Sequence, residues 1–401
     1  MWQTRGSLMI ERTGVVEPGA SAFAAPDFAE VAAAAAQLDP RAALETGDHP
    51  AGRAATALAL FRATGLPTEE IVAAATELAA RRAPRLHTFV PLYTTNHCDS
   101  ECKMCGMRRS NTGMLRRFSG KREIEEQLRI LLEHEGVRGV GFLTGEYADP
   151  YTRLANAFRI GWAIRRAFDM GFDRVYYNIG SMTEEEIAVL GEWITPEQPV
   201  TMCVFQETYD RATYNRFMGG DGAPKADYDR RMSSFDRWID AGFRYVNPGA
   251  LIGLHDVEVE LVALVAHAEH LAARGAVVDM SIPRLRPALA SSNKTKVDDE
   301  TYLRLIASIA VACPDYRIVL TNRESRAFRD RVIDLCGVIS PGSPDVAPYR
   351  RSDAIVNDEN SSQFLVAELS RPSVILSGIT STGRRVASFD EPVAGLAGQR
   401  P

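Results

Sequence analysis

Three cysteines stand within eight residues, Cys98-Asp-Ser-Glu-Cys102-Lys-Met-Cys105, separated by three residues and then by two. Thiolates so close together, directly after an apolar run, ask for a metal. Structural zinc closes its tetrahedron with a fourth Cys or His, and no fourth ligand is local. A set of three that leaves one position free suits an iron–sulfur cluster that must bind something else. Cys203, Cys313 and Cys336 are scattered among apolar neighbours and read as small buried hydrophobes. Six cysteines in 401 residues do not read as a disulfide framework.

A loop of this kind needs a scaffold. Leu86-His-Thr-Phe-Val-Pro-Leu-Tyr93 is a strand-like run that delivers the chain into it. Further strands are predicted at 137–143, 174–179, 199–205, 245–252, 276–282, 317–321 and 338–339. Helices fall between them, near 121–135, 149–170, 183–194, 226–241, 257–274, 298–312 and 325–335. Asp149-Pro150 reads as an N-cap with proline at the first helical position. Thr183 and Glu186 read as a capping box. Regular alternation predicts a parallel sheet covered by helices, an α/β fold closed as a (β/α)8 TIM-type barrel. A six-unit open barrel is the alternative.

The barrel is predicted over 86–340, behind an N-terminal helical extension over 1–85 whose first 26 residues form an extended arm. Pro67 opens its last helix, and Arg81 and Arg82 close it. A C-terminal segment over 341–401 packs on the barrel, with a short strand at Val374-Ile-Leu376 and a frayed end from Asp390.

Barrel sites lie at the C-terminal ends of the strands. The polar residues there are Asn96 with the cysteines, Thr144-Gly145-Glu146, Asn178 and Ser181, Gln206-Glu207, Asn247, Arg284 and Arg286, Asn322-Arg323-Glu324, and Ser340. Arg284 and Arg286 alternate along the chain, so at most one faces the mouth.

Composition excludes several classes. Apolar residues make up 45%, which fits a globular protein, and the formal charge is −6 with both signs interspersed. No basic stripe points to nucleic acid. The start lacks a signal-peptide pattern, and no apolar run reaches the roughly 18 residues of a membrane span. The expectation is a cytoplasmic protein.

The Cys-x3-Cys-x2-Cys spacing resembles the signature of radical S-adenosylmethionine (SAM) enzymes. The resemblance implies a [4Fe–4S] cluster on Cys98, Cys102 and Cys105, whose fourth iron chelates SAM and whose electron yields a 5′-deoxyadenosyl radical. Thr144-Gly145-Glu146 resembles the Gly-Gly-Glu motif for the SAM amino group, with Thr144 in place of the first glycine. Met104 stands where many members carry an aromatic residue against adenine. Glu207 and Arg231 are candidates for the SAM ribose and carboxylate, with Asn178 and Ser181 as further contacts.

Other segments narrow the family. Pro91-Leu-Tyr-Thr-Thr-Asn-His-Cys98, Gln206-Glu-Thr-Tyr209, Gly249-Ala-Leu-Ile-Gly-Leu254, Pro283-Arg-Leu-Arg-Pro287, Asn322-Arg-Glu324 and the Ser340 segment resemble the radical SAM aromatic amino-acid lyases of the ThiH and HydG group. Within that group the likeness runs to the tryptophan lyases of thiopeptide antibiotic (nosiheptide) biosynthesis. It implies conversion of L-tryptophan to 3-methyl-2-indolic acid, with hydrogen taken from the substrate amino group. It assigns Arg323 to the substrate carboxylate, since a planar fork matches a carboxylate, and places Ser340 and Tyr93 in the pocket. An external one-electron donor such as a flavodoxin or ferredoxin is implied as partner. The alternatives are a tyrosine lyase and a non-catalytic metal-binding scaffold. HydG carries a further C-terminal cysteine motif, and no cysteine follows Cys336 here.

Overall fold

A computed structural model describes residues 23–46, 51–81, 85–220, 222–291, 297–352 and 357–391. Most of the expected arm, Arg82 and most of the expected frayed end lie outside them. The strands are β1 (Arg85–Thr88), β2 (Val90–Tyr93), β3 (Gly139–Leu143), β4 (Arg174–Asn178), β5 (Val200–Glu207), β6 (Tyr245–Ala250), β7 (Val277–Ser281), β8 (Arg317–Thr321), β9 (Val338–Ser340) and β10 (Arg385–Ala387). The helices are α1 (Phe28–Ala35), α2 (Pro40–Thr46), α3 (Arg53–Arg62), α4 (Thr68–Ala80), α5 (Lys121–Glu133), α6 (Pro150–Met170) and α7 (Glu184–Gly191). They continue as α8 (Arg211–Met218), α9 (Tyr228–Met232), α10 (Ser234–Asp240), α11 (Val257–Ala273), α12 (Asp299–Ala312), α13 (Arg326–Val332) and α14 (Pro372–Thr380).

All the ladder pairs are parallel, and the sheet order is β10-β1-β9-β8-β7-β6-β5-β4-β3-β2. Leaving β10 aside, its two ends, β1 and β2, belong to one stretch of chain. β1 pairs with β9, β2 pairs with β3, and Phe89 alone separates β1 from β2. The sheet therefore closes on itself through residues 85–93, with eight staves in the ring and β10 added along the foot of the first.

The strands form where apolar runs are bounded by turn residues, and the helix ends follow the local chemistry. Asp149 accepts from the Thr152 N–H at 2.7 Å, Pro150 opens α6, and Gly171 ends it at φ +109°. The Thr183/Glu186 capping box is present at α7. One expectation fails: Val374-Ile-Leu376 lies in α14, not in a strand. Pro372 at the first helical position starts a helix whose buried face is Ile375, Leu376 and Ile379. A three-residue apolar run alone does not separate strand from helix.

Inside the ring, Phe89 stacks on Tyr176 with centroids 3.9 Å apart. Cys203, Val319, Val338 and the flank of Phe205 complete this inner layer. Gly141 and Gly249 make room for it, because a Cβ there would come within 2.8 Å of Phe89 and 2.7 Å of Phe205. The layer fills the lower barrel, so any cavity must lie above it, at the strand C-termini.

Candidate active site

The chain leaves β2 at Tyr93 and enters the cysteine loop, which is held by backbone carbonyls bonded to side chains. Asn96 donates to Leu115 O and Ser361 O, both at 2.9 Å, and accepts from the Arg117 N–H at 2.7 Å. Asn111 donates to Gly106 O at 2.7 Å. Arg116 donates to the carbonyls of Asn96, Met107 and Arg108 at 2.5–2.8 Å. Asn96 thus shapes the loop and does not serve the mouth.

Cys98, Cys102 and Cys105 line one cavity above the inner layer. Among the described residues no three His, Cys, Asp or Glu side chains are grouped to hold a single metal ion. The thiols instead share the wall of that cavity, as ligands each serving its own iron would. Burial, helped by Cys105, pushes the Cys98 thiol up to about 11. Burial likewise raises Cys102 and Cys105. Bare thiols here stay protonated, and iron would exchange for those protons. Two N–H groups already point at sulfur, Glu146 N–H at Cys98 (3.4 Å) and Gln363 Nε2 at Cys105 (3.6 Å). The donor set fits a cluster.

Thr144-Gly145-Glu146 follows β3 and packs directly on the cysteine loop. A Cβ on Gly145 would lie 2.0 Å from His97 O and 2.6 Å from Cys98 Cβ, so only glycine lets the two loops touch. The Thr144 hydroxyl is engaged locally: it donates to Gly145 O at 2.8 Å and accepts from Asn156 Nδ2 at 3.0 Å. Gly180, at φ +90°, leaves space that Glu146 fills.

Two ion pairs cross the cavity wall. Arg231 Nη1 meets Glu146 Oε1 at 2.7 Å, and Arg231 Nε donates to Phe205 O at 2.6 Å. Lys225 Nζ meets Glu207 Oε1 at 2.5 Å. Burial opposes the Glu146 carboxylate, yet Arg231 and Lys225 hold it below the usual carboxylate range. Glu207 sits at φ +69°, where the β5–β6 register shifts. Such a conformation in a non-glycine residue costs about 1–3 kcal/mol and re-aims the side chain. Here it turns the carboxylate toward Lys225.

Arg323, after β8, differs from these. It lines the cavity, and no carboxylate pairs with it among the described residues. Burial pushes its pKa down from the usual guanidinium value. Its guanidinium lies over the Phe364 ring, 3.5 Å from the centroid, which fixes its plane. A buried guanidinium without a carboxylate partner among the described residues is a site for an anion. Ser340 and Tyr93 line the same cavity. The Tyr93 hydroxyl donates to Gln363 Oε1 at 2.6 Å. Glu324 is occupied by both Arg284 and Arg286. Of those two arginines, Arg286 lines the cavity, and Arg284 is tied back to Asp299 at 2.7 Å.

The cavity gathers the three cysteines with Met104, Thr144, Gly145, Glu146, Asn178, Glu207, Arg231, Tyr93, Arg323 and Ser340. Ser181 stands apart, in a recess behind Glu146 that it shares with Tyr147 and Arg230. Three lining residues carried no sequence signal. Lys225 sits in a single 3-10 turn, Pro224–Ala226, after a glycine-rich loop. Gln363 and Phe364 arrive on an irregular excursion after β9.

No family model matches the chain. The 2-iminoacetate synthase of Escherichia coli (strain K12) is 29% identical over 352 residues, 81% of this chain and 85% of that protein. The crystal structure of HydG, a maturase of the [FeFe]-hydrogenase, superposes with a TM-score of 0.76 at 28% identity, covering 90% of this chain and 79% of HydG. Methylornithine synthase (PylB) matches at TM-score 0.62 and 14% identity over 89% of this chain and 97% of its own, a likeness of fold. The chain is homologous to 2-iminoacetate synthase and HydG, and its barrel is that of radical SAM enzymes. Those radical SAM homologues use a [4Fe–4S] cluster and SAM. Among the described residues no helix is long and apolar enough to cross a membrane.

Proposed function

We propose that this chain is a radical SAM carbon–carbon lyase that converts L-tryptophan to 3-methyl-2-indolic acid for a thiopeptide antibiotic. The observation that carries the amino-acid part is Arg323, a desolvated guanidinium without a carboxylate partner, facing the cysteines' cavity. Cys98, Cys102 and Cys105 would hold the cluster, and the cluster with SAM bound to it would supply a 5′-deoxyadenosyl radical.

The chain's residues set which bond meets that radical. Arg323 grips the substrate carboxylate as a fork held flat on Phe364. The Ser340 hydroxyl, with no side-chain partner of its own among the described residues, is free for the substrate's amino or carboxylate group. That grip presents the amino hydrogen. After hydrogen loss the Cα–carboxyl and Cα–Cβ bonds break. Arg323 keeps the carboxyl fragment beside indole C2, where it bonds and displaces the ring hydrogen. Cβ gains a hydrogen to become the methyl group, and Cα leaves with the nitrogen as an imine once an electron from the external donor and a proton replace the hydrogen first taken. Glu146, Arg231, Glu207 and Lys225 leave paired charges for the polar groups of SAM. Positioning and exclusion of water do most of the protein's work.

The second reading is a tyrosine lyase, favoured by the likeness to 2-iminoacetate synthase. Tryptophan rests on the resemblance of the rim segments around Tyr93, Glu207 and Arg323. Incubating the reduced, cluster-loaded protein with SAM and each amino acid, with mass spectrometry of the products, decides between them. An indole acid from tryptophan is expected. Release of p-cresol from tyrosine without turnover of tryptophan would sink the first reading.

A further inference from the structure

The cluster must receive an electron, and the cavity side of the thiols faces the space for SAM and substrate. The other side is made by the cysteine loop, against which Ser361, Ser362 and Gln363 pack. Cys105 is half-buried there, and Arg108 sits on its carbonyl at 3.2 Å. Across the whole chain the two charge signs are interspersed and the net charge is −6. This loop departs from that pattern. Every charged residue from 103 to 122 is basic: Lys103, Arg108, Arg109, Arg116, Arg117, Lys121 and Arg122.

Two of the seven are matched by acids. Arg109 meets Glu101 at 3.1 Å, and Arg117 comes within 3.7 Å of Asp358. The other five have no carboxylate partner among the described residues. Arg108 and Arg116 are spent on backbone carbonyls, which hold the charge without cancelling it. Lys103, Lys121 and Arg122 are exposed. The remaining acids near this face are Asp99, which accepts from the Ala148 N–H, Glu123 and Glu359, with Glu125 and Glu126 beside Arg122 already paired to Arg166 and to Arg129 and Arg351. Among the cations stand two exposed apolar side chains, Leu115 at 48% and Phe118 at 59%, the latter braced by Arg159 at 4.7 Å.

We infer that this face docks an acidic one-electron carrier protein of the flavodoxin or ferredoxin class. It rests on the cluster chemistry proposed above and not on the choice of amino acid. Charge complementarity argues for the partner. An acidic carrier is repelled by a chain of net charge −6 everywhere except at such a patch, so the patch sets both rate and orientation. Leu115 and Phe118 supply the apolar centre that a transient interface needs. One electron passes from the carrier's reduced flavin or iron–sulfur centre to the oxidised cluster; the carrier is oxidised by one electron and no bond forms.

The test uses full-length, cluster-loaded protein without SAM or amino acid. Photoreduced flavodoxin is mixed with it at low salt, and bleaching of the cluster is followed by stopped flow. The Lys103→Glu/Lys121→Glu/Arg122→Glu variant is expected to react at least about 10-fold more slowly, with a flattened salt dependence. Its iron content and its reduction by dithionite should match the wild type, showing that fold and cluster survive. Leu115→Ser/Phe118→Ser is expected to weaken flavodoxin affinity while leaving the salt slope in place. A charge-reversed variant that flavodoxin reduces as fast as the wild type would overturn the inference. So would loss of binding to RNA or anionic vesicles with flavodoxin reduction unchanged. A wild type that neither reductant bleaches would overturn the cluster assignment, and the docking face with it.

Discussion

Among the described residues Arg323 is the cavity's one charge without an opposite number, and that asymmetry decides what can bind. Arg231 and Lys225 are paired with Glu146 and Glu207, so a ligand near them meets neutral pairs. A carboxylate near Arg323 neutralises a buried cation instead. Arg323→Lys keeps the charge but loses the fork and the stacking on Phe364. It is expected to lower kcat/KM by about 10- to 100-fold and to raise the share of side products, because a single ammonium lets the carboxyl fragment swing. Unchanged product ratios by mass spectrometry would remove Arg323 from the site.

A second residue acts on stability. Glu260 is buried on α11, where it accepts from the Thr208 hydroxyl and, at 3.0 Å, from the Tyr209 N–H. Burial pushes its carboxyl up to about 7, against those two bonds. A carboxyl raised by folding favours the native state while protonated. Its contribution is full below the unfolded value of about 4.3 and is lost as pH climbs through 7. Stability relative to Glu260→Gln should therefore fall by up to about 3 kcal/mol between pH 5 and 8. Thermal midpoints of the two proteins that run parallel across that range would show that another group titrates.

At the scale of elements, α3 is tied to the barrel by the ion pairs of Arg53 and Arg62 and by Arg304, which gathers several carbonyls at once. Arg304 of α12 donates to Leu60 O at 2.8 Å, Phe61 O at 2.7 Å and Leu66 O at 2.9 Å, the carbonyls at and just beyond the end of α3. A cation there satisfies orphan acceptors and meets the negative end of the helix dipole. Arg304→Met is expected to cost about 3 kcal/mol, since bonds to a charged group are lost and buried carbonyls are left bare. Denaturant unfolding checks this; a loss below about 0.5 kcal/mol would mean that packing and the Arg53 and Arg62 ion pairs hold α3 without it.

The same scale shows what the sequence could and could not disclose. The strands at 174–178 and 317–321 were readable as apolar runs bounded by turns, and α6 and α7 announced themselves by their caps. The cysteines, Glu146 and Arg323 were readable because each follows a strand in a barrel. Lys225, Gln363 and Phe364 were not. They sit in turns without a repeat, and their position depends on contacts such as Tyr93 to Gln363, 270 residues apart. α8 also escaped, because its eight residues carry too few apolar positions to show a helical period. Ser181 also follows a strand end, yet it lines a recess that it shares with Glu146, Tyr147 and Arg230 and not the main cavity.

For the whole molecule, the cavity is lined by three thiols and several charged side chains, and the proposed function gives them partners outside the protein. Ligands that bind the folded state alone stabilise it by mass action, about 2.7 kcal/mol at 100 times Kd. SAM is therefore expected to raise the melting temperature of the iron-loaded protein. Chelating the iron should lower that temperature and abolish the shift, because the open coordination position goes with the cluster. An equal SAM shift in the iron-free protein would place SAM elsewhere.

The closure of the barrel through residues 85–93 also fixes a schedule. Thr88 and Ile339, joined across the seam, are 251 residues apart. A ribosome adding roughly 5–20 residues per second takes about 10–50 s to cover that interval. During that time the strand carrying Cys98, Cys102 and Cys105 has no partner on one side, and the thiols stand open to solvent and to iron delivery. Once β9 is made the seam shuts and the same thiols are walled in. Alkylation of ribosome-arrested chains should label the three cysteines freely before β9 emerges and sparingly afterwards. Uniform labelling at every length would show that the first stave docks without waiting for the last.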